Sequence, residues 1–189
     1  TRRKKLTIFF SDIKNFTDTS EKLQPEDLTK YLNEYFSEMT KIALEYGATI
    51  DKYIGDAVML FFGDPTSKGE KEDAMACVEM SLKMQEKMSD LKKKWLNEGF
   101  QKPFEIRVGI NTGFCNVGNF GSEQRLTYTI IGGEVNIAAR LETAGDAGKI
   151  LMSNETYAHV KEIVDVKELN SIKMKGVSRD VKVFEVIGR

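Results

Sequence analysis

The chain is poor in several things, and each scarcity removes a class of function. It has a single histidine, His159, in a short helical pattern that suits a structural role. With no Gly-x-Ser-x-Gly beside it, a Ser/His/Asp hydrolase lacks both base and nucleophile elbow. Its two cysteines, Cys77 and Cys115, have no metal or redox spacing. Cys77 falls on an apolar helical face and Cys115 in a strand-like run, so both are expected as buried free thiols in a reducing cytoplasm. Apolar runs are short: none reaches the roughly 20 residues of a membrane span, and no apolar stretch follows the basic Thr1-Arg2-Arg3-Lys4-Lys5 to make a signal peptide. Neither charge dominates, since 28 Lys and Arg against 29 Asp and Glu leave −1, which argues against a general nucleic-acid binder. The P-loop pattern Gly-x-x-x-x-Gly-Lys-Ser/Thr is missing too.

What is present reads as one ordinary globular domain over residues 1–189, with 41% hydrophobic and 30% charged residues. The first residue is Thr and not Met, so the expectation is a module excised from a longer protein, with sensor domains upstream. No membrane contact is expected of the domain itself.

Periodicity supplies the elements. Leu6 to Ser11 is a β-forming apolar run. Pro25 suits the first turn of a helix carrying Leu28, Tyr31, Leu32, Tyr35, Phe36, Met39 and Ile42 at helical spacing, with Gly47 as its stop. Ala48 to Ile54 and Ala57 to Phe62 read as strands around a Gly55-Asp56 turn. A long helix follows from about Lys71 to Asn97, its Met residues taken as core filler. Phe104 to Asn111 and Phe114 to Val117 are strand-like, Gly118 to Arg125 a loop or hairpin tip, and Thr127 to Ile131 a strand. Glu134 to Thr143 is a helix. Strands at Lys149 to Ser153, Val164 to Leu169 and Val181 to Val186 finish the chain, with a short helix after Ser153-Asn154. The order β-α-β-β-α-β is an α/β sandwich and not a doubly wound sheet. The expected class is therefore α+β: a ferredoxin-like βαββαβ core with a mixed, mainly antiparallel sheet, additional C-terminal strands, and helices over one face.

Two strand ends each present an aspartate: Asp12 in Phe9-Phe10-Ser11-Asp12-Ile13, and Asp56 in Ile54-Gly55-Asp56-Ala57. Either alone is an ordinary turn or cap residue. Paired on rigid backbone they suit Mg²⁺, which is held by one or two carboxylates while substrate phosphates complete its shell. The turn from Ile13 to Thr17 offers backbone N–H groups to an anion. Further on, Asn136 and Arg140 stand four apart and so share a helical face. An amide and a guanidinium there suit a ribose and a phosphoryl charge, or simply an exposed helix surface.

Four segments in order carry a resemblance: Phe10-Ser11-Asp12-Ile13 with Phe16-Thr17, Lys52-Tyr53-Ile54-Gly55-Asp56 with Met59, Gly109-Ile110-Asn111-Thr112-Gly113, and Tyr128-Thr129-Ile130-Ile131-Gly132 with Val135-Asn136, Ala138-Ala139 and Arg140-Leu141-Glu142. Together they resemble the catalytic domain of class III adenylyl cyclases, the soluble cyanobacterial-type enzymes in particular, over nearly the whole chain. The resemblance implies conversion of ATP to 3′,5′-cyclic AMP and pyrophosphate. Asp12 and Asp56, helped by the Ile13 carbonyl, would hold two Mg²⁺ or Mn²⁺ ions. Asn136 would position the ribose and Arg140 would meet charge at the α-phosphate. Lys175, in Lys173-Met174-Lys175-Gly176, matches the lysine of the terminal phosphates, and Phe16 and Thr17 would flank the substrate. Lys52 and Thr129 match the pair that reads adenine, where guanylyl cyclases typically carry glutamate and cysteine. Thr129 also marks the subgroup known for stimulation by bicarbonate. Departures are Asn15 before Phe16-Thr17, where a glycine is common, and Gly133-Glu134 after Gly132, where Asp-Thr is common. Neither removes a catalytic group.

The family builds its site between two chains, so a homodimer with two shared sites is implied, Asp12 and Asp56 from one protomer and Lys52, Thr129, Asn136, Arg140 and Lys175 from the other. The segment Phe114 to Thr127 is expected to reach the partner as an arm. Two rival readings are a diguanylate cyclase, prompted by Gly132-Gly133-Glu134, and a nucleotide-binding module without activity. The first needs those glycines at a hairpin tip and not before a helix, and the second normally loses an aspartate or the arginine kept here.

Overall fold

The computed structural model describes all residues 1–189. Its centre is β1 (Arg2–Ile13), in which Leu6, Ile8 and Phe10 point to one face and Thr7, Phe9 and Ser11 to the other, with Leu6 to Phe9 all buried, so both faces need cover. The helices α1 (Phe16–Glu21) and α2 (Pro25–Glu45) lead to the hairpin β2 (Thr49–Ile54) and β3 (Ala57–Phe62). The long α3 (Glu70–Asn97) then leads to β4 (Ile106–Ser122), β5 (Arg125–Ile131) and α4 (Gly133–Ala144). The chain closes with β6 (Ile150–Ser153), α5 (Asn154–Val160), β7 (Asp165–Ile172) and β8 (Val181–Gly188).

The strands form one eight-stranded sheet in the order β2-β3-β1-β4-β6-β8-β7, with β5 paired to β4 off this path. All pairings are antiparallel except β4 with β6, so the expected mixed, mainly antiparallel sheet with a βαββαβ core and added C-terminal strands is what forms.

Three features differ from the sequence reading. Helices cover both faces. Residues of α2, α3 and α5 pack with Phe9, Ile110 and Met152 in the main core, whereas Val135 and Ala138 of α4 pack with Leu6, Ile8 and Met59 on the other side. The alternating apolar side chains of β1 require this second cover. Next, β1 begins at Arg2 and β4 runs unbroken to Ser122, because Arg2 to Lys5 pair with Val117 to Phe114 and Leu6 pairs with Gly113. Local composition continued the strand past Gly113 but ended it before Gly118, whereas the ladder to β5 carries it on to Ser122. Finally, Asn15, with φ of 57°, turns the chain into the short α1, which no periodicity announced.

Candidate active site

The end of β1 and the β2–β3 turn bring the two aspartates together. Gly55, at φ of 62°, allows the tight turn that points Asp56 back towards β1. There the Ile13 N–H donates to Asp56 Oδ2 at 2.8 Å. Burial pushes the Asp56 carboxyl up; hydrogen bonds from the Ile13 and Asp56 amides pull it back, and the nearby charge of Asp12 pushes it up again. Asp12 lies opposite Arg107 in the β1–β4 register. The guanidinium grips it with both prongs, Nε to Oδ1 at 2.7 Å and Nη2 to Oδ2 at 3.0 Å, while Nη1 donates to the Thr143 carbonyl at 3.0 Å. Glu142 approaches the same Arg107 Nε at 3.3 Å, yet its Oε2 makes no hydrogen bond, since that N–H is aimed at Asp12. Burial, then the charge of Asp12, pushes Glu142 up to about 8.

These are hard oxygen donors at a partly open sheet end. No group of three or more His, Cys, Asp or Glu side chains is placed to form a closed metal cage. Two carboxylates are the donor type Mg²⁺ accepts when phosphates supply further ligands, so these residues fit such an ion where Asp12 gives up part of its contact with Arg107.

A second group gathers around β5. The strand folds across the α4 side of the sheet, where Ile130 packs with Met59 and Phe61. Its Thr129 hydroxyl thereby reaches Asp51 on β2 and donates to Oδ2 at 2.6 Å. Lys52, next in sequence, has its ammonium 3.5 Å from Asp51 Oδ1. Lys52 and Thr129 are thus neighbours in one chain, joined by a residue that the sequence reading passed over.

The third group lies on α4. Gly109 of β4 lets this helix press onto the sheet, for a Cβ there would stand 2.2 Å from the Glu142 nitrogen and 2.5 Å from the Ala138 oxygen. The face turned away from the sheet carries Asn136 and Arg140. With Lys175, Met174 and Thr143 they line a cavity of about 380 Å³. All three polar side chains are exposed, and neither Arg140 nor Lys175 has a carboxylate partner. No hydrogen bond or ion pair joins this group to Asp12 or Asp56.

Of the remaining candidates, Thr17 is exposed, while Phe16 turns its ring into the core against Phe104, centroid to centroid 5.9 Å. Two N–H groups of the expected anion turn are already committed, that of Ile13 to Asp56 and that of Lys14 to the Glu105 carbonyl at 2.9 Å. Sequence reasoning also missed Arg107. Its signal was a lone cation inside the apolar alternation Ile106 to Ile110, facing the same side as Asp12.

Residues 1–188 match the family model described as the adenylate and guanylate cyclase catalytic domain. The chain belongs to this family. Cyclase relatives include adenylate cyclase 1 of Rhizobium meliloti (strain 1021), 33% identical across 98% of this chain and 28% of that protein. The adenylate cyclase of Anabaena cylindrica is 29% identical across 97% of this chain and 37% of that protein. The chain therefore spans well under half the length of these relatives. Among solved structures, the adenylyl cyclase CyaB from P. aeruginosa superposes with a TM-score of 0.96 at 53% identity, covering 100% of this chain and 96% of that one. The guanylyl cyclase Cya2 gives a TM-score of 0.92 at 36% identity, covering 99% and 93%. The class III cyclase resemblance of the motifs is thus established, and proteins named adenylyl and guanylyl cyclases both stand among the similar structures.

Proposed function

We propose that the domain converts ATP to 3′,5′-cyclic AMP and pyrophosphate at sites shared by two copies of the chain. One observation carries this reading: each half-site is incomplete. The carboxylates Asp12 and Asp56 sit at one sheet end, while the unpaired cation Arg140, with Asn136 and Lys175, faces outward from α4 with nothing in its own chain to bind. Solvent-facing Tyr53 and Ile54, just before Asp56 on the β2–β3 hairpin, give a second copy apolar surface to cover.

In the proposed complex, Asp12, Asp56 and the Ile13 carbonyl would hold two Mg²⁺ or Mn²⁺ ions. When bound, these supply acidification of the ribose 3′-hydroxyl and neutralisation of the triphosphate. From the partner, Lys52 donates to a ring nitrogen of adenine and Thr129 accepts from its amino group. Asn136 fixes the ribose so that its 3′-oxygen lies in line with the leaving pyrophosphate. Arg140 meets the charge that grows on the α-phosphate, and Lys175 holds the terminal phosphates. Phe16 and Thr17 belong to the turn beside the aspartates, Phe16 supporting it from the core.

Asp56→Ala and Arg140→Ala each remove one half-site and are expected to be inactive, the arginine loss costing about 3–4 kcal/mol in the barrier. Mixed together they regain activity through heterodimers with one intact site. Heterodimers that form and stay inactive overturn the shared site, and product analysis with ATP and GTP separates this activity from that of a diguanylate cyclase.

Bicarbonate stimulation belongs to the same proposal and rests on Thr129; initial rates at fixed pH that ignore added bicarbonate sink it. So does a place within a longer polypeptide bearing sensor segments, supported by the greater length of the relatives. A cytoplasmic setting is supported by two free, buried cysteines. No helix is long and apolar enough to cross a membrane.

A further inference from the structure

We infer that Asp51 sets the base specificity of the site by dictating the direction in which the Thr129 hydroxyl hydrogen-bonds. The inference rests on the reading of Thr129 and Lys52 as the pair that meets the base.

Asp51 sits at a register shift between β2 and β3, where Ile50 pairs with Leu60 and Lys52 with Met59, so Asp51 is the extra residue of a bulge. A bulge re-aims a side chain, and here it sends the carboxylate inward, fully shielded from solvent. One oxygen, Oδ2, takes the Thr129 hydroxyl at 2.6 Å. The other, Oδ1, is buried without a hydrogen bond and has only the Lys52 ammonium at 3.5 Å. An unsatisfied buried carboxylate oxygen is costly, and its placement between these two residues accounts for it.

The chemistry follows from what a carboxylate lacks. Ionised, it offers acceptors only, so Thr129 must spend its one hydrogen on Asp51. The hydroxyl then turns lone pairs, and no hydrogen, towards an incoming base. Adenine presents an amino donor at C6 and guanine a carbonyl acceptor there. A hydroxyl locked as an acceptor welcomes the first and repels the second. Asp51 touches neither nucleotide, so it is a positioning residue acting through Thr129.

An amide reverses the lock. In Asp51→Asn the ammonium of Lys52 draws the amide oxygen to its side and leaves the NH₂ facing Thr129. The hydroxyl then accepts from the amide and releases its hydrogen outward, towards a guanine carbonyl.

The test compares kcat/KM for ATP and for GTP, with Mn²⁺, in wild type, Asp51→Asn, Thr129→Val and the double variant, thermal melts confirming folding. Asp51→Asn is expected to lower the ATP:GTP ratio by at least about tenfold, through KM more than kcat. Thr129→Val lowers the ratio as well, and adding Asp51→Asn to it changes the ratio no further. A purely structural role for Asp51 would depress both nucleotides alike and leave the ratio untouched, which overturns the inference. Should Thr129→Val itself leave the ratio unchanged, the base-pair reading fails and the inference with it; a ratio lowered by Thr129→Val but not by Asp51→Asn removes the inference alone. If Asp51→Asn does not melt cooperatively, Asp51→Leu, which is similar in shape and offers no acceptor for the Thr129 hydrogen, is judged by the same ratio.

Discussion

Arg107 shows how much can turn on one side chain. It neutralises Asp12 with two hydrogen bonds, anchors the last turn of α4 through the Thr143 carbonyl, and lies against Glu142. Removing it leaves Asp12 and Asp56 without a neutralising charge beside them and takes the nearby cation from Glu142. Arg107→Ala is expected to lose about 3 kcal/mol of stability in metal-free buffer, read from urea unfolding. If the aspartates take a divalent ion as proposed, Mg²⁺ will raise the melting temperature of the variant more than that of wild type. Equal shifts in the two proteins would speak against an ion at this pair.

At the scale of elements, β5 is held by a carboxylate just as its Thr129 is. Asp64, following β3, is buried and accepts hydrogen bonds from Lys4 at 2.8 Å, from Arg2 at 3.4 Å and from the Tyr128 hydroxyl. Burial alone would raise its carboxyl, but the bonds from Lys4 and Tyr128 and the charges of Lys4 and Arg2 prevail and hold it below its ordinary 3.8. A carboxyl depressed in the folded chain stabilises the fold at every pH above its unfolded value, and that support disappears as pH falls through the lower folded value. Asp64→Asn should therefore be less stable than wild type by about 1–3 kcal/mol at pH 7. The gap should begin to narrow only as pH falls below about 3.8 and close once pH has passed the lower folded value, in urea titrations followed by circular dichroism. These tethers also show what the sequence could not announce. Strands, long helices, the paired aspartates and the Asn136–Arg140 face were legible because each rests on local spacing. Asp51, Asp64 and Arg107 were not, since the partners of each lie far along the chain except for the Lys52 beside Asp51. The second helical layer was not legible: the sequence reading put helices over one face, and nothing local said that α4 covers the other.

For the molecule as a whole, the proposed two-chain site assigns a purpose to side chains that the fold leaves uncovered. Ile54, 55% exposed at the tip of β2, contributes little to the core. Ile54→Asp is expected to keep the wild-type unfolding midpoint within about 0.5 kcal/mol, while sedimentation shows monomers and cyclase activity disappears. A variant that stays active as a monomer would separate catalysis from pairing.

The course of β1 has a mechanical consequence. It is laddered to β4 at every position from Arg2 to Ile13 and to β3 from Thr7 to Ser11. A slide by one residue would exchange its two apolar faces and break both ladders together, so the strand has no small step available. A pull or twist applied at Arg2 must therefore arrive at Asp12 as rotation of the entire sheet. In the proposed pair, this ladder favours one copy tilting as a stiff body against the other over stretching within a copy.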